Sequence, residues 1–164
     1  MTLKIQINSA VGTWEKAESK MPMEMAPDPG YEVVPCQKNS ILVVDDEEGI
    51  RRVFQKVIAL DIPNALVDTA SDGAKAVESF RAGHHSVILM DLFMPVMTGD
   101  HAFFEIAKIC DREKWELPAI IFCTGFNPSS DIRNVVAANP RHCLLQKPVR
   151  NQVMIETILE RLKQ

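Results

Sequence analysis

Three aspartates, a threonine and a lysine carry the chemistry open to this sequence. Asp45 and Asp46 stand side by side where the apolar run "ILVV" meets "DDEEG". Asp91 follows "SVILM", Thr124 follows "AIIFC", and Lys147 follows "HCLLQ", just before Pro148. Carboxylates crowded together raise one another's pKa, and burying them is costly. A hard divalent cation relieves that conflict. Mg²⁺ (or Mn²⁺) takes one or two carboxylates, keeps several waters and commonly serves phosphate chemistry. The Lys147 ammonium would pair with a carboxylate at rest and with phosphoryl oxygens afterwards, and the Thr124 hydroxyl would donate to the same oxygens. Asp91 is then the candidate nucleophile toward a phosphoryl group, with the metal and Lys147 stabilising charge on the transferring group. Taken singly, an Asp after a strand is usually a cap or turn former, a Thr structural, a Lys before Pro a solvated loop residue. The chemical reading rests on all five falling at the same kind of place.

That place is set by the elements around them. "SILVV", "ALVDTA", "SVILM", "PAIIFC" and "HCLLQ" read as strands, most of them continuous apolar runs of the kind buried on both faces. Between them lie helical stripes: Ile50, Val53, Phe54, Val57 and Ile58; a helix from "SDGAKAVESF" into Arg81, capped by Ser71 or Asp72 and ended by Gly83; Phe103, Ile106, Ala107 and Cys110; and a weaker Ile132, Val135, Val136 stripe after "NPSSD". From Val149 a last helix aligns Ile155, Ile158, Leu159 and Leu162. Five strand–helix units in alternation predict an α/β fold: a doubly wound, five-stranded parallel sheet of flavodoxin-like order 2-1-3-4-5 with helices on both faces. Such sheets bind ligands outside the carboxyl ends of their strands. Strands 1, 3, 4 and 5 end at Asp45–Asp46, Asp91, Thr124 and Lys147, so the fold itself gathers the five residues.

Residues 1–38 differ from 39–164. "TLKIQI" alternates like one short strand, and "MPMEMAPDPGYEVVP" carries four prolines, as a linker or extended arm does. The chain has 164 residues, 46% apolar and 24% charged, with a net charge of −4. That excludes a basic nucleic-acid footprint and a polybasic membrane patch. The short apolar runs predict no membrane span and no signal peptide, hence a cytoplasmic protein. Cys36, Cys110, Cys123 and Cys143 are scattered, without zinc-ligand spacing, and are expected to be reduced thiols. His84–His85 is expected in a turn.

"ILVVDDEEGIRRVF", "VILMDLFMPVMTGD", "IIFCTG" and "LLQKPV" together resemble the receiver domain of two-component response regulators, over about residues 39–164. The resemblance implies a phospho-accepting signalling switch and not an enzyme in the ordinary sense. Asp91 would take a phosphoryl group from a histidine kinase or phosphotransfer protein. Asp46 would ligate Mg²⁺ directly, Asp45 mostly through water, and the backbone carbonyl of Phe93 would complete the protein ligands. Thr124 and Lys147 would hold the phosphoryl oxygens, with Lys147–Pro148 commonly cis. Phosphorylation would then repack the face of helix 4, strand 5 and helix 5, which a downstream protein partner reads. A homodimer through that face or through the N-terminal arm is a further expectation. With no output domain within these residues, a stand-alone receiver or a fragment of a longer regulator is expected.

Two positions depart from the family's pattern. Leu144 stands where an aromatic residue usually swings inward with the threonine. Phe93 and Phe126 occupy positions beside the site that are often polar, and their bulk is expected to hinder the water that hydrolyses the acyl phosphate. Rival readings fare worse. A flavin site wants a Ser/Thr/Gly-rich phosphate loop after strand 1, not "DDEEG", and a D-x-D hydrolase needs its acids one residue apart rather than adjacent. A phosphorylation-independent module of the same fold is opposed by the intact set of five.

Overall fold

The computed structural model describes residues 32–163. Strands and helices alternate: β1 (Gln37–Val44), α1 (Glu48–Asp61), β2 (Leu66–Ala70), α2 (Gly73–Gly83), β3 (His85–Asp91), α3 (Gly99–Glu113), β4 (Ala119–Thr124), α4 (Ser130–Ala138), β5 (Cys143–Gln146) and α5 (Asn151–Leu162). The five strands are parallel in the order β2-β1-β3-β4-β5, as the alternation of apolar runs and helical stripes predicts.

Because successive strand residues point to opposite faces, each central strand feeds two cores. Leu42, Val44, Ile88, Met90, Ile120 and Phe122 pack with Phe80 of α2, Phe103 and Ile106 of α3 and Ile132 of α4. Ile41, Val43, Val87, Leu89, Ile121 and Cys123 pack with Phe54 and Ile58 of α1 and Met154 and Ile158 of α5. Most of these side chains are fully buried, each contributing about 1.5–3 kcal/mol relative to exposure. This two-sided burial is why the runs show no polar alternation.

The structure corrects four local expectations. His85 is not in a turn: it opens β3, is fully buried, and its Nε2 lies 2.9 Å from the Asp68 carboxylate. The left-handed residue that ends α2 is His84 (φ 44°), not Gly83, which is the last residue of the helix. Val53 sits on the apolar stripe of α1 yet is half exposed, so the buried face narrows to Phe54 and Ile58. Val149 precedes α5, which starts at Asn151 and buries Met154 with Ile155 and Ile158, while Leu159 and Leu162 are only partly buried. Of the two cap candidates for α2, Asp72 takes the role, accepting from the Lys75 amide at 2.9 Å.

β1 begins at Gln37, ahead of the apolar run, and pairs there with His85. Further back, Val34 forms a parallel bridge with Trp115. Its amide donates to Lys114 O at 2.9 Å, and its carbonyl accepts from the Glu116 amide at 2.8 Å. The Cys36 amide donates to the Glu116 carboxylate at 3.1 Å. The expected "TLKIQI" strand and the first part of the proline-rich stretch lie outside the described residues. All four cysteines are thiols. Burial pushes Cys36, Cys110 and Cys123 up to about 12, which keeps them protonated and inert.

Candidate functional site

Strand register brings the five residues together. Val44 of β1 lies opposite Met90 of β3, Asp91 opposite Cys123 of β4, and Thr124 opposite Gln146 of β5. Asp45 therefore emerges beside Asp91, Asp91 beside Thr124, and Lys147 one residue beyond Thr124's partner. The Lys147 amide extends the ladder by donating to Thr124 O at 2.9 Å, and the Lys147–Pro148 peptide is cis.

Lys147 Nζ lies 2.7 Å from Asp45 Oδ2 and 2.5 Å from Asp91 Oδ2. Each acid's other oxygen is fixed by its own turn: Asp45 Oδ1 accepts from the Glu47 amide at 2.9 Å, and Asp91 Oδ1 from the Phe93 amide at 3.0 Å. Asp45 and Asp91 are buried while Asp46 is exposed, and no hydrogen bond engages the Asp46 carboxylate among the described residues. One carboxylate oxygen from each of Asp45, Asp46 and Asp91 lies within 4.8 Å of the others. That all-oxygen donor set, anionic and opening to solvent at Asp46, fits a hard divalent cation such as Mg²⁺. Burial pulls the Lys147 ammonium down, but its hydrogen bonds to Asp45 and Asp91, and their charges, outweigh that and raise it above its ordinary value.

Thr124 is buried, and its hydroxyl faces its own turn. It accepts from the Phe126 amide and lies 3.1 Å from Phe126 O, to which it donates. Phe93, two residues after Asp91, and Phe126, two after Thr124, meet edge to face with ring centroids 5.1 Å apart, and both are exposed. Leu144 is half-buried against the core beneath α2, α3 and α4.

Two contributors escaped the sequence reading. Arg51, on the first turn of α1, donates through Nη1 to Asp45 O at 2.6 Å and Asp46 O at 2.9 Å. Gly99, the first residue of α3, packs flat on the end of β3. A Cβ there would fall on the Asp91 carbonyl oxygen, and would lie 2.9 Å from Met90 Cγ. The "MTGD" turn contains the signal for Gly99; Arg51's role depends on a fold-back that spacing alone does not specify.

The family model of the response regulator receiver domain matches residues 41–159. The chain is 41% identical over 70 residues to a protein-glutamate methylesterase/protein-glutamine glutaminase of Aliivibrio fischeri, covering 43% of this chain and 19% of that protein. It is 37% identical over 95 residues to "Probable transcriptional regulator ycf27" of Porphyridium aerugineum, covering 58% of this chain and 36% of that one. The chain thus spans between about a fifth and about a third of these relatives' lengths. Among solved structures, the CheY-like response regulator receiver domain protein of Methanospirillum hungatei superposes with a TM-score of 0.65 at 20% identity, covering 77% of this chain and 95% of that one, a likeness of fold. Among the described residues, no helix is long and apolar enough to cross a membrane.

Proposed function

Because this chain belongs to the response regulator receiver domain family, we propose that it is a cytoplasmic switch that accepts a phosphoryl group on Asp91 from a histidine kinase or phosphotransfer protein. The observation that carries the reading is Lys147 Nζ bridging Asp45 and Asp91 beside the Asp46 carboxylate. In the proposed transfer an Asp91 carboxylate oxygen attacks phosphorus, the P–N bond of the phosphohistidine breaks, and the imidazole nitrogen leaves with the electron pair. Lys147 is already 2.5 Å from the attacking carboxylate, so a small swing takes its charge onto the phosphoryl oxygens. A Mg²⁺ ion held by Asp45, Asp46, Asp91 and the Phe93 backbone carbonyl would offset the charge of the transferring group.

Thr124 supplies the switch. Its hydroxyl now satisfies the Phe126 backbone; donating to a phosphoryl oxygen means leaving that turn. The gain of a charge-assisted hydrogen bond biases the exchange, and the α4–β5–α5 face is the surface proposed to change for a downstream partner. Residues 1–38 serve in this reading as an arm anchored from Val34 onward on the receiver domain, 39–164, and either that arm or the α4–β5–α5 face is where a second copy would join. No direct contact with nucleic acid or membrane is part of the proposal.

One observation favours a second reading, a docking module indifferent to phosphorylation. With Leu144 half-buried against the core, no aromatic ring at that position accompanies Thr124. Intact-protein mass after incubation with acetyl phosphate separates the two. A Mg²⁺-dependent gain of one phosphoryl group in the wild type, absent in Asp91→Ala, is expected. Loss of both the gain and Mg²⁺ binding would leave the docking module standing.

A further inference from the structure

We infer that Arg51 is a positioning residue of the acidic site, setting the geometry in which Asp45 and Asp46 present their carboxylates to a divalent cation. The inference rests on the metal-assisted reading above. Arg51 Nη1 donates to two successive backbone carbonyls, Asp45 O at 2.6 Å and Asp46 O at 2.9 Å. Those are the two peptide units that aim the adjacent acids. The Arg51 amide also donates to Glu47 O at 3.1 Å, so one residue of α1 ties back to three positions of the β1–α1 turn.

The manner of the tie matters. Lys147 spends its contacts on carboxylate oxygens, one each of Asp45 and Asp91. Arg51 spends its contacts on carbonyls. It engages no carboxylate oxygen that a cation needs. The two hydrogens on one planar nitrogen are fixed in direction, so two carbonyls held by that nitrogen are held relative to each other. Without the tie, Asp46, exposed and with a carboxylate not engaged by hydrogen bonds among the described residues, would depend on turn chemistry alone for its direction. Groups that orient metal ligands in this way typically alter affinity by about 10–100-fold when removed.

The next residue supplies the control. Arg52 is exposed and pairs with Glu48 at 3.3 Å on the helix surface, so Arg52→Ala removes the same charge from the same helix turn without touching the acids' backbone. The experiment titrates the full chain with Mg²⁺ alone, following backbone amide shifts by NMR, for wild type, Arg51→Ala, Arg51→Gln and Arg52→Ala, with urea midpoints measured in the absence of metal. Arg51→Ala and Arg51→Gln are expected to raise the Mg²⁺ Kd about 10-fold or more, with Arg52→Ala within twofold of wild type. A merely structural role would lower the urea midpoint and leave the Kd in place, and that result overturns the inference. So does an equal rise in Kd for Arg52→Ala, since general charge would then explain it. Should Arg51→Ala fail to fold, Arg51→Gln decides by the same criterion. Absence of Mg²⁺ binding by the wild type would overturn the metal-assisted reading, and this inference with it.

Discussion

Replacing Gly99 with alanine should disturb the Asp91 backbone and the fold together. A Cβ at residue 99 would fall on the carbonyl oxygen of Asp91, 3.0 Å from its carbonyl carbon and 2.9 Å from Met90 Cγ. Ordinary carbon contacts begin near ~3.5 Å, so relief needs a shift of more than about half an ångström, and the oxygen needs more. Met90 is fully buried and Gly99's own amide is tied to Leu92 O at 3.0 Å, so the movement falls on the Asp91 peptide or on the start of α3. Overpacking of this kind costs about 1–3 kcal/mol, which at about 3 °C per kcal/mol lowers Tm by roughly 3–9 °C. A misplacement approaching 1 Å at the reacting group costs on the order of 100-fold in rate. Gly49 provides the opposite case, since nothing lies within 4 Å of a Cβ there. Gly49→Ala, in the first turn of α1, should stabilise by up to about 1 kcal/mol and leave phosphorylation unchanged. The assays are thermal unfolding and the rate of phosphorylation by acetyl phosphate with Mg²⁺. If Gly99→Ala matches wild type in both, the close seating of α3 on the Asp91 backbone is refuted.

Three further outcomes follow from the same geometry. Lys147 is held above its ordinary 10.5, so the stability it contributes is complete below that value and is lost as pH rises through the raised one; Lys147→Met should flatten the alkaline limb of a urea-midpoint profile, and an unchanged limb would refute the pairing. His142 accepts from the Ile120 amide at 3.2 Å, and burial, then Arg141 and Arg161, hold it from 6.5 down to about 4. Its contribution is therefore present above pH 6.5 and withdraws as pH falls toward 4, by about 3 kcal/mol when complete; the fall in urea midpoint between pH 7 and 4.5 should be shallower in His142→Gln. Phe93 and Phe126 meet edge to face close to Asp91 and Thr124 in the chain, so decay of the proposed acyl phosphate, followed by intact mass, should quicken several-fold in Phe93→Asn, and equal decay rates would remove water exclusion as their role.

The acidic cluster was legible because a parallel sheet places successive strand ends along one edge, and four of the five runs end at Asp45–Asp46, Asp91, Thr124 and Lys147, which says what will stand there. Strand order and the two-sided core followed from the same runs. What stayed hidden depends on partners far away in the chain. His85 reads as half of a polar pair until β3 extends to include it and Asp68, 17 residues earlier, reaches its ring. Val53 fits the helical stripe, but period alone cannot tell how wide a face the sheet will cover. Arg51 looks like one more basic residue of an amphipathic helix, because spacing does not reveal a guanidinium folding back onto carbonyls. The pairing of Val34 with Trp115 spans 81 positions and lies in a stretch whose prolines read as linker.

That last pairing fixes where the chain before the domain is moored. Val34 and Gln37 are knitted to the amino-terminal rim of the sheet, against Trp115 and His85. Asp45 stands at the opposite rim, beyond the eight residues of β1, a distance of about 25 Å at 3.3 Å per residue. A fluorophore, affinity handle or surface linkage placed immediately ahead of Glu32 would thus be tethered on the far side of the sheet from the acids. Immobilised in that orientation, the molecule would hold its acidic cluster away from the support, which suits it to single-molecule and surface-based tests of the proposed phosphoryl transfer.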